Sequence, residues 1–331
     1  MRTATRIVGG LIAAVLLVVA GAYLVFDREH ASLDVAARAG ASGKFARLSE
    51  GVTHYDLAGE NGRQTVVLLS GATVPYYIWD STAAALSGHG FRVLRYDYYG
   101  RGYSDRPALA YDLAMYDRQL TELLDTLGIR GPVDVAGVSM GGAIAVNFAD
   151  RHPDRVLTVI LVDPAIGVSH DTPLPLRSAF TGDLALTFGA SSMAKGQLDD
   201  FVHPERYPDW VSRYEPQMRY RGFRRSIFET QRHDVFKRPA RSFETLARSQ
   251  TPMLVIWGKE DHTVPIMFSD TVRAAFPRAE FHVIDGAGHL PHIEQAAVVD
   301  SILLDFLART VIEEPRLPAG KGAGQAGAQT P

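Results

Sequence analysis

The chain has 331 residues, 46% of them hydrophobic and 21% charged, with a formal net charge of -3 and no cysteine. That length fits one large domain or two small ones, and the apolar share is ample for a substantial core. Disulfides, thiolate metal sites and cysteine nucleophiles are excluded, and the slightly negative charge gives no general attraction to nucleic acid.

Arg2 and Arg6 precede an uncharged run, Ile7–Phe26, that Asp27-Arg28-Glu29-His30 closes. About 20 apolar residues span a bilayer as a helix. The basic flank then stays cytoplasmic and the rest of the chain lies on the far side. The rival reading is a secretory signal peptide cleaved near Ala22, because Ala20-Gly21-Ala22 is a small-x-small site. The run continues through Tyr23-Leu24-Val25-Phe26, which favours an uncleaved anchor over residues 1–30. A buried core helix ranks third. Residues 31–46 include the small-residue stretch Ala36–Gly43 and read as a linker. The Gly/Ala-rich residues 310–331 read as a disordered tail, since they cannot bury a core.

Between 47 and 309 strands and helices alternate. Val52–Leu57 has period two and is expected as an outer antiparallel strand. Continuous apolar runs follow at Val66–Leu69, Val93-Leu94, Val133–Val135, Val159–Val162, Leu254–Trp257 and Phe281–Ile284, the pattern of parallel strands buried on both faces. Leu120, Leu123, Leu124 and Leu127 lie on one face of a predicted helix, with Gly128 after it as a C-cap. The expected fold class is α/β, a mostly parallel sheet flanked by helices, with catalytic loops at the strands' carboxyl ends. Alternation breaks over about 167–248, where Pro, Arg and aromatic residues suggest a helical cap. From Arg219 to Arg241 this segment is basic. It reads as a solvated helix face or as a surface that meets anionic lipid.

Gly137-Val138-Ser139-Met140-Gly141 lies between a β-branched strand and a small-residue helix. It is either a plain Gly-rich turn or a strained strand-to-helix elbow that lifts Ser139 Oγ clear of the sheet as a nucleophile. In the second reading the Met140 N–H points where an oxyanion forms. The loop Ser70-Gly71-Ala72-Thr73 would supply a second backbone donor, Ala72. A serine needs a base. Among 11 histidines, His289 in Gly286-Ala287-Gly288-His289 follows a strand and can reach over the sheet; His292 is a backup, and His262 points elsewhere. The base needs an acid. Asp261 leads, with Glu260 and Asp163 as alternatives, and Ser139, Asp261, His289 is the chain order of G-x-S-x-G enzymes.

Together these residues resemble the α/β-hydrolase superfamily, in its branch with a helical cap, over roughly residues 47–309. Asp97-Tyr98-Tyr99-Gly100-Arg101-Gly102-Tyr103-Ser104 resembles that family's D-x-x-G-x-G-x-S segment, Trp79 the aromatic that seats its first helix, and His289 with Glu294 its G-x-G-H…E ending. Ser70-Gly71 stands where the family usually has His-Gly. The resemblance implies acyl transfer to water with no metal or organic cofactor, since relatives that displace halide or open epoxides carry aspartate at the elbow. Closest in resemblance are esterases, monoacylglycerol lipases and hydrolases of carbon–carbon bonds in ring-fission products. Carboxylic ester hydrolysis is the leading expectation, with a small-molecule ester as substrate and a membrane met through the N-terminal segment. The alternatives are a C–C hydrolase or perhydrolase on the same triad, or a non-catalytic ligand-binding member.

Overall fold

The structure, a computed structural model, describes residues 2–62, 64–167, 174–233, 235 and 240–310. The anticipated tail from residue 311 onward lies outside the described residues. Eight strands form one sheet: β1 (Lys44–Leu48), β2 (Gly51–Ala58), β3 (Thr65–Leu69), β4 (Arg92–Tyr96), β5 (Val133–Val138), β6 (Val156–Val162), β7 (Met253–Gly258) and β8 (Glu280–Ile284). Their order is β1-β2-β4-β3-β5-β6-β7-β8. β2 runs antiparallel to both neighbours and β3 to β8 are parallel. The sheet is therefore mostly parallel, with helices on both faces, as the apolar runs predict.

Two strand expectations change. The Val52–Leu57 strand is antiparallel but internal, because β1 pairs outside it from Lys44 onward. β1 starts inside the anticipated linker, at Lys44, and crosses its end at residue 46; its alternating burial is too short to stand out beside the Gly/Ala run. Phe281–Ile284 belongs to an edge strand and is only half buried, since β8 has a single neighbour.

All residues of β3, β5 and β7 are buried, which sets a core on each side of the sheet. One polar residue, Asp134, sits inside β5 and accepts hydrogen bonds from Gln64 Nε2 and, at 2.7 Å, from Thr158 Oγ1. Burial pushes its pKa up to about 6, against those two hydrogen bonds.

Short helices between β6 and β7 build the cap. Helix Ala240–Arg248, inside the anticipated cap range, packs instead on the core helix Met140–Arg151, and Ser242 Oγ donates to Asp150 at 2.7 Å. It is the crossover helix between two parallel strands, so the cap ends before it. In the basic stretch, Arg224 is buried in ion pairs with Asp27 and Asp183; Lys237 and Arg238 lie outside the described residues.

The N-terminal helix Arg2–Phe26 contains one segment, Thr5–Phe26, long and apolar enough to cross a membrane, with mean hydropathy 2.5 and none of it buried.

Candidate active site

Ser139 joins β5 to helix Met140–Arg151 with φ 54° and ψ -120°, a conformation that costs a non-glycine residue about 1–3 kcal/mol. The flanking glycines are required by close approach. A Cβ on Gly137 would overlap the Gly141 backbone, and one on Gly141 would overlap the Leu69 carbonyl. The elbow is thus wedged between its own helix and the end of β3, which keeps the strained serine in place.

The first turn of that helix and the loop after β3 lie side by side, with Gly71 against the Ser139 side chain. Among the described residues the N–H groups of Ala72 and Met140 make no hydrogen bond. Two unspent donors beside the serine are what a developing oxyanion needs. The loop is fixed without the His-Gly pair. Tyr98 OH donates to the Ser70 carbonyl at 3.0 Å, and buried Arg101 donates from Nε to the Ala72 carbonyl. Arg101 Nη2 also donates to Thr230 Oγ1 in the cap at 3.2 Å, and Nη1 bonds Ser226 Oγ. Arg101 therefore ties the loop to the cap, a role its place in the 97–104 motif did not reveal. The rest of that motif is architectural. Asp97 accepts from the Tyr76 and Tyr103 N–H groups, both at 2.9 Å, and from His54 Nδ1 at 2.7 Å.

The loops after β7 and β8 meet above the sheet. His289 Nδ1 donates to Asp261 Oδ2 at 2.8 Å, both residues buried. Asp261 Oδ1 accepts from the Thr263 and Val264 N–H groups, each at 2.8 Å, so its carboxylate is held from both sides. Burial disfavours a charged His289, yet the hydrogen bond and charge of Asp261 outweigh it and hold the pKa above 6.5. Nε2 is left as the basic nitrogen. Among the described residues no hydrogen bond joins it to Ser139 Oγ; such bonds often tighten only with substrate bound.

The histidine loop is stapled from several directions. Glu260 Oε2 accepts from Gly286 and Ala287 N–H, and Glu294 Oε2 accepts from Gly288 N–H at 2.6 Å. Glu294 Oε1 also accepts from Val202 N–H at 2.9 Å, and the Asp200 carbonyl accepts from His289 N–H at 2.8 Å. Glu260 is thus a loop brace, and the cap segment 200–203 holds the His289 loop, which no local pattern announced.

The two remaining alternatives are also placed. His292 is buried under Trp79, ring centroids 4.2 Å apart, and its Nε2 donates to the Ile78 carbonyl at 3.1 Å. Desolvation lowers its pKa to about 3, so it is a neutral packing residue. Asp163, at the end of β6 with φ 41°, is fully buried. Its Oδ1 accepts from Gly258 N–H at 2.8 Å, and its Oδ2 has no donor partner. What lies beside it is Asp261: carboxylate oxygens of both and a His289 ring nitrogen fall within 4.8 Å of one another. Burial and then the Asp261 charge push the Asp163 pKa far above the carboxylate range. Both effects favour the protonated carboxyl, which avoids a second negative charge beside Asp261.

A parallel sheet with a serine elbow, a histidine loop and an acid loop at its carboxyl ends defines a hydrolase class. The family model described as alpha/beta hydrolase fold matches residues 64–296, and the chain belongs to that family. The 2-hydroxymuconate semialdehyde hydrolase of Pseudomonas putida is 32% identical over 226 residues, 66% of this chain and 77% of that protein. A 2-hydroxy-6-oxononadienedioate/2-hydroxy-6-oxononatrienedioate hydrolase of Paraburkholderia phymatum is 30% identical over 285 residues, 81% of this chain and 96% of its own. In structure, the enol-lactonase of Burkholderia xenovorans LB400 superposes with TM-score 0.70 at 25% identity, covering 80% of this chain and 100% of that one.

Proposed function

We propose that this chain is a serine hydrolase of 2-hydroxy-6-oxo dienoates, the products of aromatic ring fission, and that it cleaves their carbon–carbon bond next to the 6-oxo group. The identity to hydrolases named for such substrates carries this reading, ahead of the ester hydrolysis that the sequence put first. Ser139 Oγ attacks the 6-oxo carbon while His289 Nε2 takes its proton. The Ala72 and Met140 N–H groups receive the oxyanion. The substrate reacts as its 2-oxo tautomer, the 2-hydroxy proton having moved to the carbon beside the 6-oxo group. As the tetrahedral intermediate collapses, the bond between that carbon and the 6-oxo carbon breaks, its electron pair delocalises onto the 2-oxo oxygen as a dienolate, and His289 returns its proton to that dienolate. Water, deprotonated by His289, then releases the acid from Ser139. Asp261 holds the ring tautomer and stabilises the imidazolium.

Ester hydrolysis is the second reading, on the same triad; the lactonase-like fold and the apolar N-terminal helix favour it. Full-length protein in detergent micelles separates the two by kcat/KM. The first reading expects 2-hydroxymuconate semialdehyde and 2-hydroxy-6-oxononadienedioate to exceed p-nitrophenyl and monoacylglycerol esters at least about tenfold. The reverse order overturns it. A non-catalytic binder is excluded if a fluorophosphonate labels the protein and Ser139→Ala abolishes the labelling.

The N-terminal helix is proposed to anchor the chain, with the catalytic domain on the extracytoplasmic side. Secretion after cleavage near Ala22 is the alternative. The N-terminus of the mature protein decides between them.

A further inference from the structure

We propose that the outward face of cap helix Ala179–Phe188 lies in the lipid–water interface of the membrane spanned by the N-terminal helix, so that the cap over the site is a lipid-contacting surface. The proposal rests on the reading of that helix as an uncleaved anchor.

The pattern of the cap helix is the first observation. Phe180, Leu184 and Phe188 recur every four residues and form one stripe. Phe180 is 75% exposed and Phe188 41%, while Gly182, Leu186 and Thr187 on the other side are buried, Gly182 close against the Phe228 ring. Just before the helix, Leu174 is also 75% exposed. A cap washed only by water would carry polar residues there.

What covers this stripe follows from where it sits. Thr5–Phe26 spans 22 residues, about 33 Å as a helix, against a hydrocarbon thickness of about 30 Å. Its last residue, Phe26, therefore reaches the far interface. The Phe26 ring packs edge-on against Phe188 at 5.8 Å, which places the Phe188 end of the stripe at that depth.

The junction is also stiff. Tyr23 OH donates to Asp183 Oδ2 of the cap helix at 2.6 Å. Arg224, only 9% exposed, bonds Asp27, Asp183 at 3.0 Å and the Tyr23 hydroxyl at 3.2 Å. Glu29 caps the helix Phe223–Arg232 by accepting from the Gly222 and Arg224 N–H groups, and Arg28 pairs with Glu215 at 3.0 Å. Apart from the Arg224–Asp183 bond, which lies within the cap, these bonds join the juxtamembrane segment to the cap, so the anchor fixes the cap's orientation instead of tethering it loosely. Arg219 and Arg221 are exposed just before the helix Phe223–Arg232, which suits anionic head groups. A substrate dissolved in the bilayer would then meet the cap without crossing bulk water.

The absence of native cysteine makes single-site labelling clean. The full chain, carrying an environment-sensitive fluorophore at Phe180→Cys, Leu17→Cys or Gly131→Cys, is reconstituted into phosphatidylcholine/phosphatidylglycerol vesicles with spin-labelled lipid. Gly131 is exposed with open space around it, at the entry to β5, the opposite end of the sheet from the cap. The expected result is strong quenching at position 180 by a shallow quencher, at 17 by a deep one, and none at 131. Quenching at 17 with position 180 behaving as 131 does overturns the cap proposal and leaves the anchor intact. No quenching at 17 overturns the anchor reading itself, and the proposal with it. In activity, Phe180→Glu should lower turnover of vesicle-dissolved long-chain substrates at least fivefold and leave micelle-free, water-soluble substrates within twofold; equal effects on both overturn it.

Discussion

Replacing Asp163 with Asn tests whether the buried carboxyl pair beneath His289 carries one charge or two. The amide oxygen still accepts from Gly258 N–H, and its nitrogen presents a donor, without a charge, on the side that faces Asp261. Asn also tolerates the positive φ of this position. In the wild type, the unfolded chain ionises Asp163 near its ordinary value of 3.8, whereas the fold keeps the proton. Above that pH the folded state binds one proton more, so its stability falls as pH rises, by up to about 1.4 kcal/mol per unit. The Asn variant lacks this proton and lacks the slope. As pH rises above the ordinary carboxylate range, the variant should gain stability steadily on the wild type. Denaturant unfolding in micelles reads this through Trp79, Trp210 and Trp257, all buried. Catalysis by Asp163→Asn should stay within about threefold, while Asp163→Leu orphans the Gly258 N–H at about 1–3 kcal/mol. Parallel stability curves for wild type and Asn variant, or a hundredfold loss of activity at unchanged stability, would refute the one-charge pair.

The acidic limb of the pH profile of kcat/KM should lie above pH 6.5, because Asp261 raises the His289 pKa and the base must be neutral; Asp261→Asn should move that limb down. Asp134→Asn should likewise stabilise the protein, the gain growing from about pH 4 to about pH 6 and levelling at about 3 kcal/mol above that, since a raised carboxyl pKa removes stability above the unfolded value; unfolding midpoints at about pH 4 and about pH 7 check it. Gly141→Ala places a methyl on the Leu69 carbonyl and should cost about tenfold or more in kcat with little change in KM, read by steady-state kinetics. Arg101→Met should free the Ala72 carbonyl and lower kcat by about 10–100-fold without abolishing fluorophosphonate labelling, because it disturbs an oxyanion donor and leaves the nucleophile.

The sequence by itself determined the sheet interior and the elbow. Runs such as Val66–Leu69 and Leu254–Trp257 are unambiguous because a strand buried on both faces has no polar alternation to blur it. The serine, acid and histidine were readable because each follows a strand directly, where chain order alone sets position. Tertiary structure decided what depends on contacts between distant segments. Only packing shows Asp163 beside Asp261, or Arg101 and cap residue Asp200 bracing the Ala72 and His289 loops, since their partners lie up to 129 positions away. Only packing moves helix Ala240–Arg248 out of the cap and reveals that β1 begins before the anticipated linker ends. The same holds for the anchor. Its length and hydropathy are sequence properties, but its weld to the cap through Tyr23, Asp27, Glu29 and Arg224 joins residues roughly 160–200 positions apart, beyond the reach of any local pattern.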